Sequence, residues 1–384
     1  MQPFRFQTVP HIVVERGAAA RLGEVLATRF TPGRICVVTD PFLERSGLLA
    51  PALASLAAHG WQAQVLSDVQ ADPPDHVVAA VAARAREAGT EVVLGLGGGS
   101  SMDVAKLVAV LLASDQPLAA MYGIDNVRGE RLPLVQMPTT AGTGSEVTPI
   151  SIVTTGETTK SGIVARQLYA DMAILDATLT TGLPPAATAA TGLDAMVHAI
   201  EAFTGRRLKN PLSDHLALLA LRLLADNMVR ACEQGDDLDA REALLLGAML
   251  AGQAFANSPV AAVHALAYPL GGRYHLPHGL TNALVLPHVL RFNIAAAPDH
   301  YAALADALQP GGSGEVPARA EAFVAGVEAL IAATRLPMRL RDHGVAEDML
   351  PTLAADAMQQ TRLLVNNPRE MTEADALAIY RQAF

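Results

Sequence analysis

Val92-Val93-Leu94-Gly95-Leu96-Gly97-Gly98-Gly99-Ser100-Ser101-Met102-Asp103 is the stretch on which the fold turns. An apolar run ends in consecutive glycines, two serines follow, and a helix-period segment continues from Met102 to Ala113. A run that is apolar throughout, instead of alternating, reads as a strand buried on both faces, the condition of a parallel sheet. Glycine supplies the φ freedom of a tight turn and lets the backbone approach a ligand closely. A helix starting there offers free N–H groups and the positive end of its dipole, which suits a pyrophosphate. A plain strand-to-helix turn with a serine cap accounts for the same residues. Spacing leaves both readings open, because the run is neither the spaced dinucleotide fingerprint nor a Walker loop. Lys106, one turn further on, reads as a surface residue.

Outward from this turn, strand candidates are Ile35–Thr39, Gln64–Leu66, Val92–Leu96, Leu134–Met137, Ile150–Thr154 and Met172–Leu175. Helix-period segments separate several of them, notably Ala18–Phe30, His76–Ala88 and Met102–Ala113. This alternation predicts βαβ units around a buried parallel sheet. After Leu183-Pro184-Pro185 no alternating strand recurs. Long Ala/Leu segments run through Ala186–Phe203, Ser213–Cys232, Ala240–Phe255, Pro317–Ala333 and Ala374–Phe384, separated by breaks such as Gln309–Gly314. The expected division is an α/β domain over 1–183, with a Rossmann-like parallel sheet, and an all-helical domain over 184–384.

Composition fits that plan. The 384 residues are 51% hydrophobic but only 4% aromatic, so the core is built from Ala, Leu and Val. A net charge of −10 with no Lys/Arg block excludes a nucleic-acid partner, which needs a basic footprint. No apolar stretch is long enough to cross a membrane. The N-terminus through Arg16 lacks the apolar stretch of a signal peptide. Cys36 and Cys232 lie far apart and form no disulfide framework. A cytoplasmic protein is expected.

A second polar loop, Pro138–Glu146, also follows an apolar strand. Its hydroxyls, Thr139, Thr140 and Thr143 among them, and its two glycines can wrap a phosphate or ribose. Asp40 ends another strand. A carboxylate there accepts ribose hydroxyls and repels a 2′-phosphate, favouring NAD over NADP. A helix N-cap is the equal alternative.

In Gly192–Glu201 the side chains of Asp194 and His198, four residues apart on a helix, project side by side and can share a divalent ion. Downstream, His264, His275, His278 and His288 crowd a stretch, Ala256–Leu290, whose only charged side chain is Arg273. His264 and His278 converge with the first pair if the chain doubles back, which Pro269, Gly271-Gly272 and Pro277 permit. Three His and one Asp suit Fe²⁺ or Zn²⁺. Spacing alone leaves core histidines as the rival reading.

Together these segments resemble the iron-containing, or group III, alcohol dehydrogenases over nearly the whole chain. The motifs stand in family order: Val38-Thr39-Asp40; Gly97-Gly98-Gly99-Ser100 with Asp103 and Lys106; Pro138–Glu146; Gly192–Glu201; His264–Gly279. The resemblance implies an NAD(P)-binding α/β domain, a helical metal-binding domain and a cofactor in the cleft. It implies Asp194, His198, His264 and His278 as metal ligands. It assigns Gly98, Gly99 and Ser100 to the pyrophosphate and counts Asp103 among the cofactor-binding residues. Thr139, Thr140 and Thr143 would line the nucleotide, Lys160 would stand near the nicotinamide, and Phe255 and Asn257 would line the substrate pocket. Iron is the family's metal; Zn²⁺ fits the same ligands. The implied reaction is hydride transfer between a primary alcohol, or hydroxy acid, and the nicotinamide. A homodimer or larger homo-oligomer is expected.

The chain departs from the family at three points. Tyr268 stands where many members have a second histidine, and the proton would leave through bound water, the cofactor ribose, Tyr268 or His275. A Tyr-Pro here looks like the hydroxyacid–oxoacid transhydrogenase branch, which handles 4-hydroxybutyrate-like acids. Arg166 and Ala170 replace usual prolines after Lys160, and Asp72 replaces a more frequent Asn. Arg273 either clamps a substrate carboxylate or makes a surface salt bridge. Enoate reduction of the maleylacetate reductase type is a further alternative, although that branch lacks the full Asp/His set. A lyase of the dehydroquinate synthase type and a non-catalytic metal- or nucleotide-binding protein are more distant ones.

Overall fold

Apolar runs long enough for a strand and free of alternation do become buried parallel strands. The computed structural model describes residues 3–156, 159–309 and 311–384. Met1 and Gln2 of the N-terminal stretch and Pro310 of the Gln309–Gly314 break lie outside them. Strands β1 (Ile12–Val14), β2 (Arg34–Val38), β3 (Gln62–Leu66), β4 (Val92–Gly97), β6 (Leu134–Pro138) and β9 (Met172–Leu175) form one six-stranded sheet in the order β1-β9-β6-β4-β2-β3. Every pairing in it is parallel. Strands β4, β6 and β9 are buried at every position, as a sheet covered on both faces requires. The chain steps outward from β2 to β3, then returns to the other side of β2 as β4. The ends of β2 and β4 therefore flank a topological switch point, where open α/β sheets bind ligands.

One expected member left this sheet. Ile150–Thr155 (β7) pairs antiparallel with Thr159–Val164 (β8), and β8 pairs with Gly123–Ile124 (β5), forming a separate three-stranded sheet. The reason lies in its burial: β7 alternates buried and half-buried positions over most of its length, so it has one covered face instead of two. Helices α1 (Leu22–Ala27), α2 (Pro41–Ser46), α3 (Ala50–Ala58), α4 (Asp75–Glu87) and α5 (Gly99–Ala113) complete this part. The expected Ala18–Phe30 helix is shorter, because Ala18–Arg21 winds as a 3₁₀ turn and the α-helix ends at Ala27.

Beyond β9, no strand occurs among the described residues. The chain continues as α6 (Pro185–Thr204), α7 (Pro211–Glu233), α8 (Leu238–Asn257), α9 (Ala262–Tyr274), α10 (His278–Ile294), α11 (Pro298–Leu308), α12 (Val316–Ala333), α13 (Leu350–Met358), α14 (Thr361–Leu364) and α15 (Glu373–Ala383). Helix α6 is buried over nearly its whole length and packs on α7, α8 and α10. Among the described residues, no single helix is long and apolar enough to cross a membrane.

The chain divides into two compact units. One holds Thr8–Thr140 and Gly144–Gly182; the other holds the N-terminal residues through Gln7, Ala141–Thr143 and Leu183–Phe384. Local contacts explain the two outlying pieces of the helical unit. Asn257 bonds both backbone groups of Gln7, and Gly142 lies so close to Thr191 of α6 that a Cβ would stand 2.9 Å from its carbonyl oxygen.

Candidate metal centre and nucleotide site

Helix α5 begins at Gly99 with Gly98 as its N-cap, at the mouth of β4. The ends of β2, β3 and β4 enclose a cavity of about 480 Å³, lined by Asp40, Phe42, Arg45, Gln70 and the Gly98–Ser101 turn among others. A Cβ on Gly98 would lie 3.7 Å from the Thr140 side chain, so Thr140 borders the turn. Thr139 is buried, and its N–H donates to the Gly97 carbonyl at 3.0 Å. Asp40 caps α2, and both cap bonds, from Phe42 and Leu43 N–H, fall on Oδ1. The cap thus engages one carboxylate oxygen, and the N-cap and ribose readings are compatible.

Asp103 does not line this cavity. Its Oδ2 accepts the Ile152 N–H at 2.8 Å and its Oδ1 the Ser145 hydroxyl at 2.5 Å. Lys106, read from the sequence as a surface residue, is fully buried. Its Nζ donates to Ser145 Oγ, Thr148 Oγ1 and the Ile150 carbonyl at 2.7, 3.2 and 2.6 Å. Burial pulls its pKa below the ordinary lysine value, against the nearby Asp103 and Glu146 charges. Burial likewise pushes the Glu146 carboxyl up to about 7. Lys160 is paired with Asp72 at 2.6 Å, and Thr143 falls in the helical unit.

In the helical unit, Asp194 and His198 stand one turn apart on α6, His264 on the first turn of α9 and His278 at the start of α10. One donor atom from each of these four residues lies within 4.8 Å of the others. The Nε2 atoms of His198, His264 and His278 stand 3.8, 3.8 and 3.6 Å from Asp194 Oδ1. Asp194, His198 and His264 are buried, and His278 is half-buried. Burial holds the His198 imidazole down to about 3, keeping it neutral. Burial also pushes the Asp194 carboxyl up, but the three imidazoles and the Asn282 amide outweigh it and its pKa lies below the usual carboxylate value.

The reversal that joins His264 to His278 differs from the expected one. Helix α9 runs straight through Pro269 and Gly271-Gly272, and the chain turns only at His275–Pro277. His275 takes the left-handed conformation, φ 54°, that ends the helix. Pro269 removes one helical donor; a turn earlier, the Tyr380 hydroxyl donates to the Leu266 carbonyl at 2.6 Å. Gly279 permits the close approach of α10 to α6, since a Cβ there would lie 2.3 Å from the Ala190 carbonyl oxygen.

Around this cluster, Phe255 stacks on His198 with ring centroids 4.3 Å apart. Tyr268 packs edge-on to His264 at 6.4 Å and lies 5.9 Å from the His278 ring. Asn257, in contrast, spends its amide on Gln7 and Gln253. His275 is exposed, and Arg273 is an exposed surface residue paired with Asp356 at 2.6 Å.

Two further residues went unremarked in the sequence. The Asn282 amide donates to Asp194 Oδ1 at 2.6 Å and faces His264 and His278 Nε2 at 3.2 and 3.3 Å. Glu201 faces His264 Nδ1 at 2.7 Å. Spacing held the signal for both: Asn282 follows His278 by one turn, and Glu201 follows His198 by three residues on the same face.

Comparison with known proteins first places the fold among alcohol oxidoreductases. A crystal structure of 1,3-propanediol oxidoreductase matches with a TM-score of 0.95 at 34% identity, covering 100% of both chains. The alcohol dehydrogenase from Oenococcus oeni matches with a TM-score of 0.94 at 29% identity, again over 100% of both. The family follows from the sequence models: iron-containing alcohol dehydrogenase matches residues 10–177, and the C-terminal model of the Fe-containing alcohol dehydrogenase family matches 188–384. The chain is 41% identical over 356 residues to long-chain-alcohol dehydrogenase 1 of Geobacillus thermodenitrificans, covering 91% of this chain and 89% of that protein. It is 36% identical over 352 residues to sulfoacetaldehyde reductase of Bilophila wadsworthia, covering 91% of each. The chain belongs to the iron-containing alcohol dehydrogenases, oxidoreductases that act on alcohols.

Proposed function

We propose that this enzyme interconverts an uncharged primary alcohol and its aldehyde by hydride transfer with NAD, using a divalent ion held by Asp194, His198, His264 and His278. The carrying observation is the convergence of those four donors within 4.8 Å in a buried site. Three imidazoles and one carboxylate around one point fit a divalent cation; Fe²⁺ is the family's metal and Zn²⁺ suits the same donors. Such an ion supplies Lewis acidity toward the substrate oxygen, and the nicotinamide supplies or accepts the hydride.

The chain's own residues do the rest. Backbone N–H groups at the start of α5, with Gly98, Gly99 and Ser100, hold the pyrophosphate, and Thr139, Thr140 and Thr143 line the nucleotide. Asp40 takes the ribose hydroxyls and disfavours a 2′-phosphate. Phe255 holds the His198 ring in place by stacking. Tyr268, packed against His264 and beside His278, is placed to pass the substrate proton. The pairing of Arg273 with Asp356 supports an uncharged substrate over a hydroxy acid, because the guanidinium is already engaged at the surface.

Metal analysis of anaerobically purified protein, followed by reduction of butanal, 3-hydroxypropanal, succinic semialdehyde and sulfoacetaldehyde with NADH and NADPH, tests this. Stoichiometric metal and a preference for NADH and the uncharged aldehydes are expected. Preference for succinic semialdehyde would move the assignment to the hydroxy-acid branch, and no turnover of any aldehyde would refute it.

A further inference from the structure

Glu201 belongs to no donor set, yet its carboxylate is fully committed. It lies three residues after His198 and seven after Asp194, on the same face of α6, and is 3% exposed. Oε1 accepts the Val263 N–H at 2.6 Å, and Oε2 accepts the Ala261 N–H at 2.8 Å. Oε2 also faces His264 Nδ1 at 2.7 Å. All three contacts fall on the N-terminal end of α9. The first N–H groups of a helix have no partner within it, and the N-cap of α9, Ala261, has no side chain to offer. Glu201 supplies the missing acceptors from another helix. Both Glu201 oxygens already accept backbone N–H groups, so the carboxylate is the acceptor here, the shared hydrogen sits on His264 Nδ1 and the lone pair stays on Nε2. Nε2 is the atom that stands among the converging donors.

We propose that Glu201 is the positioning residue of the metal centre: it fixes the His264 tautomer and pins the start of α9, so that Nε2 is presented to the ion. The proposal rests on the ligand reading given above. It predicts that the imidazole contact, and not only the helix cap, sets metal affinity. Glu201→Gln leaves one acceptor oxygen for three donors and so weakens the His264 contact and the cap together; the metal-free melting measured alongside weighs the share of the cap.

The test titrates Co²⁺ into chelator-stripped protein and reads the visible d–d bands, with melting of the metal-free protein and NADH binding measured alongside. Glu201→Gln is expected to lower Co²⁺ affinity about 10- to 100-fold and to shift the d–d bands, with metal-free melting lowered modestly by the lost backbone acceptor and NADH affinity near wild type. Glu201→Asp, which keeps the charge, is expected to recover part of the loss. Wild-type Co²⁺ affinity in Glu201→Gln overturns the proposal. So does an affinity loss that merely tracks a collapse in metal-free melting. Asp194→Ala runs in parallel: if it loses Co²⁺ while Glu201→Gln does not, the ligand reading stands and only the Glu201 proposal fails. If Asp194→Ala binds Co²⁺ like wild type, both fail. A measurement on the wild type is independent of variant folding: ¹⁵N imidazole spectra of the Zn²⁺-loaded protein should show His264 protonated at Nδ1 and metal-bound at Nε2. An ion on Nδ1 overturns the proposal.

Discussion

Each of the two units buries a polar cluster, and the two differ by one lysine. In the sheet unit, Asp103 and Lys106 stand one turn apart on α5, and the ammonium, 3.4 Å from the carboxylate, also reaches two hydroxyls and a carbonyl. The Asp103 carboxylate collects a hydroxyl and a backbone N–H in return. That cluster carries its own cation, and its donors and acceptors are matched. In the helical unit, Asp194 and His198 stand one turn apart on α6, but the groups that join them are imidazoles, and the Asn282 amide donates to the carboxylate. Lone pairs there outnumber donors around one point. Burial of a carboxylate therefore means closure in one case and a demand for a cation in the other.

The largest effect should come from removing the carboxylate of the open cluster. Asp194→Ala is expected to abolish bound metal and to lower turnover roughly 10³-fold or more, the scale of a lost Lewis acid. NADH affinity, measured by fluorescence titration, should change little; retained turnover would end the ligand assignment. In the closed cluster the matching change is Lys106→Met, which strands Asp103 and Glu146 as buried acids. A destabilisation of about 3–5 kcal/mol is expected in urea unfolding, with metal content unchanged in whatever protein remains folded. An unaltered midpoint would show that the lysine does not complete that cluster.

Glu146 adds a pH dependence confined to the closed cluster. Its pKa is raised from 4.5 to about 7 by burial, so the folded chain holds the proton more tightly than the unfolded one. Wild-type stability should therefore fall as pH rises from about 4.5 to 7, by an amount on the order of 3 kcal/mol, and Glu146→Gln should flatten that fall. Parallel pH profiles for the two proteins would contradict this. The smallest effect is geometric. Gly279→Ala drives a methyl group into the Ala190 carbonyl, costing about 1–3 kcal/mol in thermal unfolding and displacing His278. Metal affinity should drop with it; unchanged affinity would mean that the α10–α6 approach does not set the His278 position.

Much of this was legible residue by residue. β4, β6 and β9 announced themselves because a strand covered on both faces has no polar positions. β1, three residues long, has too short a pattern to read, and the partner of β7 cannot be inferred from its own residues. Asp194 and His198 were readable as a pair because helical spacing makes them neighbours. Lys106 was misread because lysine is rarely buried, and the groups that accept it, Ser145 and Thr148, come from a loop after another strand. Asn257 carries no local sign that its partner is Gln7.

Local periodicity, turn chemistry and composition thus determined the α/β and helical division, the glycine turn at the end of β4 and the candidate donors, since all of these depend on neighbours within one or two turns. Only the tertiary structure decided that His264 and His278 meet Asp194 and His198, that Asp103 faces inward, that Arg273 is spent on Asp356 and that Glu201 holds His264. Those facts depend on how separate helices and strands pack. Packing is set by long-range burial and by close approaches such as Gly279 on Ala190, which no window of the chain contains.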